Sequence, residues 1–131
     1  MAGNIESGFN YCRSCYDHLA GYAGVKITRA MEKNRWIKKH GVGYIVTPNG
    51  WTSFSRFGIN EEDFTKSRRP LTRQCVDGTE KKPHIAGLLG SKILKQMIKR
   101  KWLKRVPSSR EIAITAEGRV EINNFLGRLV V

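Results

Sequence analysis

The chain repeats itself, and this limits the folds open to it more than any other feature. His18, Leu19, Ala20, Gly21, Gly24, Lys26, Ile27, Met31, Lys33 and Trp36 return as His84, Ile85, Ala86, Gly87, Gly90, Lys92, Ile93, Met97, Lys99 and Trp102, always 66 positions later. Ile45-Val46-Thr47-Pro48-Asn49-Gly50 returns as Ala113-Ile114-Thr115-Ala116-Glu117-Gly118 at an offset of 68, a difference that a two-residue loop explains. Upstream, Cys15-Tyr16-Asp17 is echoed by Cys75-Val76-Asp77. Copies of only about fifty residues cannot each bury an adequate core, so the two are expected to share one.

Within the copies, Leu19, Ala23, Ile27 and Met31, and Ile85, Leu89, Ile93 and Met97, recur every four residues. This predicts helices with an apolar stripe, beginning at His18 and His84. Pro83 suits the first turn of the second helix, where a missing N–H costs nothing. Gly21, Gly24, Gly87 and Gly90 read as points of close approach between the long helices or their neighbours. Residues 41–43 and 107–109 read as turns, and Tyr44-Ile45-Val46 and Glu111-Ile112-Ala113-Ile114 as strands. Thr47 and Thr115 stand where N-caps belong, each opening a last helix. The fold class is therefore α+β: two tandem winged-helix-like repeats, each a long helix, a short β-hairpin wing and a helix. The expected organisation is a single compact domain over 1–131, with repeats at about 11–60 and 72–131 and a basic linker at about 61–71.

Lys and Arg number 24 against 11 Asp and Glu, a net charge of +13. Such a surplus implies an acidic partner, most commonly nucleic acid. On a helical wheel Lys26, Arg29 and Lys33 fall within about 60° of one another, away from the apolar stripe, and Lys92, Lys95 and Lys99 do the same. A solvated face explains one such helix, but basic positions that repeat together with core positions point to a surface for double-stranded DNA. Thr28, Asn34 and Gln96 are the nearby groups able to read bases, provided they point outward. No apolar run approaches the roughly 18 residues of a membrane span. The opening MAGNIESGFN has no secretory-signal pattern, so a cytoplasmic protein without a membrane partner is expected.

Three cysteines, an odd number, argue against a disulfide framework. Cys12, Cys15 and His18, with Cys75 and His84, are donor types suited to zinc or another thiophilic metal. Cys12 has no counterpart in the second copy, and on a helix positions 12, 15 and 18 would fan over roughly 120°. Buried structural thiols, a metal site and a thiol sensor stay open, and no ligand or cofactor is assigned. Catalysis is not expected: a Cys–His pair oriented by Asp17 or Asp77 would occur twice, and no oxyanion-stabilising turn is evident.

Cys15-Tyr16-Asp17-His18-Leu19-Ala20-Gly21 and Ser67-Arg68-Arg69-Pro70-Leu71, followed by Cys75, Asp77 and Lys82-Pro83-His84-Ile85-Ala86-Gly87, resemble the C-terminal half of bacterial ArsR-type (arsenic-repressor-like) winged-helix transcriptional regulators. The resemblance runs from about Tyr11 to Phe125. It implies a cytoplasmic, dimeric regulator, in a family whose DNA binding lies in an N-terminal winged helix and whose signals are commonly metals or thiol chemistry. No winged helix precedes Cys15, so a fragment or a stand-alone relative is expected and the family's DNA-reading helix is not carried over. Gly78 stands where the resemblance leads one to expect Trp, and the family's variable metal ligands are not transferred. The expected function is a DNA-associated transcriptional regulator that binds duplex DNA through basic helices. The alternative is a metal- or redox-sensing or dimerisation module of a regulator that does not itself read DNA.

Overall fold

A computed structural model describes residues 7–131. Most of the segment read for a secretory signal, residues 1–6, lies outside them. The two apolar stripes do form helices, α1 (Gly21–Lys33) and α3 (Gly87–Lys99), but these begin three residues later than the periodicity predicts. His18 and His84 stand in strands instead. Strand β1 (Arg13–Cys15) pairs antiparallel with β2 (His18–Ala20), placing Cys15 opposite His18. Strand β5 (Arg73–Val76) pairs with β6 (Pro83–Ala86), placing Cys75 opposite His84. Pro83 therefore opens a strand rather than a helix, a position where it is also tolerated.

The boundary is decided at Gly21 and Gly87, whose φ angles are +79° and +81°. At Gly21 the Asn10 and Tyr11 carbonyl oxygens lie 3.0 Å from where a Cβ would sit, and at Gly87 the Pro70 and Leu71 carbonyl oxygens lie 2.9 Å away. The chain turns sharply from strand into helix there, which side-chain-bearing residues resist. The helix cannot extend back to the histidines.

Beyond α1 the chain forms β3 (Ile37–His40), β4 (Gly43–Val46), α2 (Pro48–Arg56) and a 3-10 turn at Glu61–Phe64. Beyond α3 it forms β7 (Leu103–Arg105), β8 (Ile112–Ile114) and α4 (Ala116–Leu126). Strands β3 and β4 pair antiparallel, as do β7 and β8. The described residues thus form an α+β structure of four α-helices and small antiparallel hairpins, compatible with a winged-helix-like arrangement.

Thr47 and Thr115 cap α2 and α4, their hydroxyls accepting from Gly50 N at 2.9 Å and Gly118 N at 2.8 Å. A side chain at Gly50 or Gly118 would run into the carbonyl of Trp36 or Trp102. The Thr-x-x-Gly pattern therefore combines a cap with a close approach to the tryptophan that immediately precedes β3 or β7.

Helix α1 packs on β6 as well as β2, and α3 packs on β2 as well as β6. Backbone bonds repeat this exchange: Ser14 N donates to Arg110 O at 2.8 Å, and Gln74 N to Val42 O at 2.8 Å. The buried Thr28 hydroxyl accepts from Ile85 N at 2.9 Å. Gly24 and Gly90 do not bring the long helices together. They meet the carbonyls of Leu19 and Ile85, so each helix seats on the strand before it.

The buried cluster runs from Leu19, Ile27, Met31 and Phe57 to Leu89, Met97, Ile122 and Leu126. Phe125 stacks on Phe57 at 4.6 Å and stands 5.0 Å from Trp36. Each such side chain contributes about 1.5–3 kcal/mol on burial. A partly exposed pair such as Lys39–Glu32 contributes ~1 kcal/mol or less, so apolar packing sets the arrangement.

Candidate functional sites: a cysteine–histidine cluster and a basic cleft

The exchange of helices and hairpins brings the turn ends of β1–β2 and β5–β6 together. Cys15, His18, Cys75 and His84 converge there, with one candidate ligand atom from each and all four atoms within 4.8 Å of one another. Cys15 Sγ lies 3.9 Å from Cys75 Sγ, and His18 Nε2 lies 3.1 Å from His84 Nε2. Both imidazoles are buried and both thiols half-buried. Cys12 is not part of this group. It is fully enclosed in the core, and burial pushes its thiol up to about 12.

Two carboxylates stand behind the imidazoles. Asp17 Oδ1 lies 3.5 Å from His18 Nδ1, and the Arg69 guanidinium holds the other Asp17 oxygen at 3.0 Å. Asp77 Oδ1 lies 3.3 Å from His84 Nδ1. Asp77 is itself buried and accepts from Gly21 N at 2.7 Å, Glu80 N at 2.9 Å and the Thr79 hydroxyl at 3.0 Å, with Arg13 at 3.3 Å. Burial opposes ionisation of Asp77, but the Glu80, Gly21 and Thr79 donors outweigh it and hold the carboxyl at about 2. Burial lowers the pKa of both histidines, that of His84 to about 4 with help from neighbouring His18. Burial, then the neighbouring Cys15, pushes Cys75 up to about 11. His84 Nδ1 is buried with no hydrogen bond aligned to it.

Of the basic positions read from the sequence, Lys26, Arg29, Lys33, Lys95 and Lys99 are exposed and Lys92 is half-buried. Lys26, Arg29 and Lys33 line a cleft of about 570 Å³, completed by Lys82 and Arg128 with Tyr22 and Leu129 at its walls. No residue lining it is acidic. Lys82 and Arg128 carry no sequence signal beyond their charge, because only folding brings the β5–β6 turn and the segment after α4 beside α1. Thr28, Asn34 and Gln96 are all engaged internally: Thr28 with Gly24 O and Ile85 N, Asn34 with Leu126 O, and Gln96 with Phe57 O.

The arrangement defines a class: a small α+β domain with a cysteine–histidine cluster between two hairpins and a cation-lined cleft on one helix. Among curated proteins, the chain is similar to an uncharacterized HTH-type transcriptional regulator, YdfF, of Bacillus subtilis (strain 168), with 39% identity over 121 residues. The alignment covers 92% of this chain and 54% of that relative, so the chain spans about half the relative's length. No family model and no solved structure matches the chain. No helix among the described residues is long and apolar enough to cross a membrane.

Proposed function

We propose that the chain is a non-catalytic, DNA-associated part of a cytoplasmic helix-turn-helix transcriptional regulator, of the ArsR-like kind that its motifs resemble. Its two matched halves are tandem winged-helix-like repeats sharing one core, and the regulator acts as a homodimer. The observation that carries the reading is the cleft in which Lys26, Arg29 and Lys33 face Lys82 and Arg128 with no carboxylate among them. The name of the relative that aligns with nearly all of this chain supports it. Lysine and arginine in such a cleft neutralise phosphates and hold a protein on the duplex without reading bases. The internal engagement of Thr28, Asn34 and Gln96 accords with backbone rather than base contact.

The test replaces Lys26, Arg29, Lys33, Lys92, Lys95 and Lys99 together with Ala and measures duplex affinity at low salt. A large loss is expected, and unchanged affinity removes the reading. A second reading is favoured by the convergence of Cys15, His18, Cys75 and His84: a signal-receiving module whose charge assists a separate DNA-binding region. It predicts that chemistry at the cluster alters DNA affinity of the whole regulator.

A further inference from the structure

We propose that Cys15, His18, Cys75 and His84 form a closed tetrahedral site for one thiophilic divalent ion of the zinc class. The donor geometry is the first argument. Ligand distances of about 2.3 Å to sulfur and about 2.05 Å to nitrogen place tetrahedral sulfur pairs about 3.8 Å apart and nitrogen pairs about 3.3 Å apart. The observed separations are 3.9 Å for Cys15 and Cys75 and 3.1 Å for His18 and His84. A disulfide needs about 2.05 Å, so the thiols stand at ligand spacing rather than bonding spacing.

The proton arrangement is the second argument. Asp17 and Asp77, each engaged by an arginine, lie 3.5 Å from His18 Nδ1 and 3.3 Å from His84 Nδ1, so each carboxylate favours a proton on the Nδ1 beside it. If both Nδ1 atoms carry the proton, both Nε2 lone pairs face each other at 3.1 Å with no hydrogen between them. A cation beside both lone pairs resolves this conflict, and it lets His84 Nδ1, otherwise unpartnered in the interior, donate to Asp77.

The donor set selects the ion. Two sulfurs and two imidazole nitrogens, with no oxygen, suit zinc or cobalt and exclude calcium and magnesium. Two thiolates neutralise a divalent charge, and four protein ligands leave no open position of the kind a catalytic zinc keeps. One Cys–His pair comes from β1–β2 and the other from β5–β6, so the ion would clasp the two halves of the chain. This site goes beyond the DNA reading and does not rest on it.

Untagged, reduced full-length chain titrated with cobalt(II) should take up one equivalent. It should show tetrahedral d–d bands and a thiolate-to-cobalt charge-transfer band, and zinc should displace the cobalt. The double variant Cys15→Ser/Cys75→Ser should lose the charge-transfer band, while Cys12→Ala should keep the wild-type spectrum. Cys15→His retains four ligands and guards against a variant that fails to fold; its charge-transfer intensity should be roughly halved. An octahedral spectrum, absence of the charge-transfer band in wild type, or a band unaffected by Cys15→His overturns the site. DNA affinity measured on zinc-loaded and chelated protein separates the readings: tetrahedral binding without a change in affinity upholds the site and removes only its role in signalling.

Discussion

His18 Nε2 and His84 Nε2 face each other at 3.1 Å, although the residues are 66 positions apart in the chain. Both imidazoles are buried, and both pKa values lie below the ordinary histidine value. A base whose folded pKa is depressed contributes stability above its unfolded value, near 6.5, and this is lost as pH falls toward the folded value. For His84 that window runs from about 6.5 down to about 4. The urea midpoint of metal-free protein should therefore fall between pH 7 and pH 5, and equal midpoints would contradict the burial argument.

Asp77 ties β5–β6 to the start of α1 through Gly21 N and to β1 through Arg13. Asp77→Asn removes the charge and turns an amide toward groups that donate. The cost should be about 2–4 kcal/mol in chemical denaturation, the scale for breaking a buried, charge-assisted network. Glu80→Ala, at the neighbouring turn, should change stability by about 0.5 kcal/mol or less.

Gly118 lies where any side chain would meet the Trp102 carbonyl, whereas Gly78 has nothing within 4 Å of an added Cβ. Gly118→Ala should lower stability by about 1–3 kcal/mol, as overpacking against backbone does. Gly78→Ala should leave the thermal midpoint unchanged within error. Equal effects at the two positions would remove the close-approach account of the Thr-x-x-Gly motif.

Cys12 is enclosed, while Cys15 and Cys75 are half-buried. Alkylation of native, metal-free protein should label Cys15 and, more slowly because its thiol is held up at about 11, Cys75, and leave Cys12 untouched, as read by peptide mapping. Zinc should protect both Cys15 and Cys75. Early labelling of Cys12 would place it wrongly in the core.

Binding to duplex through about six phosphate contacts should give a slope near −5 in log K against log salt. Removing Lys26 alone should reduce the slope by about one unit and weaken all sequences alike. Sequence-dependent losses would show base contacts that the engaged Thr28, Asn34 and Gln96 side chains do not supply.

Much of the local structure was legible from spacing. The four-residue periodicity announced α1 and α3, the β-branched runs announced β4 and β8, and Thr47 and Thr115 announced the starts of α2 and α4. Hairpins β1–β2 and β5–β6 leave no such signal in the sequence. Their strands are three or four residues long, too short for alternation to stand out, and the apolar period of the following helix continues back through Leu19 and Ile85. On a helix, Cys12, Cys15 and His18 fan around a cylinder, which disfavours a shared metal. In the hairpin, Cys15 and His18 are cross-strand partners, and only Cys12 falls away.

Periodicity, capping residues and glycine positions are properties of neighbouring residues, and the sequence alone was sufficient for them. It also set which helix positions carry positive charge. The meeting of Cys15 with Cys75 and of His18 with His84 is of another kind, as is the placing of Lys82 and Arg128 beside α1. Those distances exist because α1 lies on β6 and α3 on β2, a packing driven by apolar burial across the whole chain. No local pattern encodes which distant hairpin a helix will cover, so the tertiary structure alone decided that four scattered donors share one site.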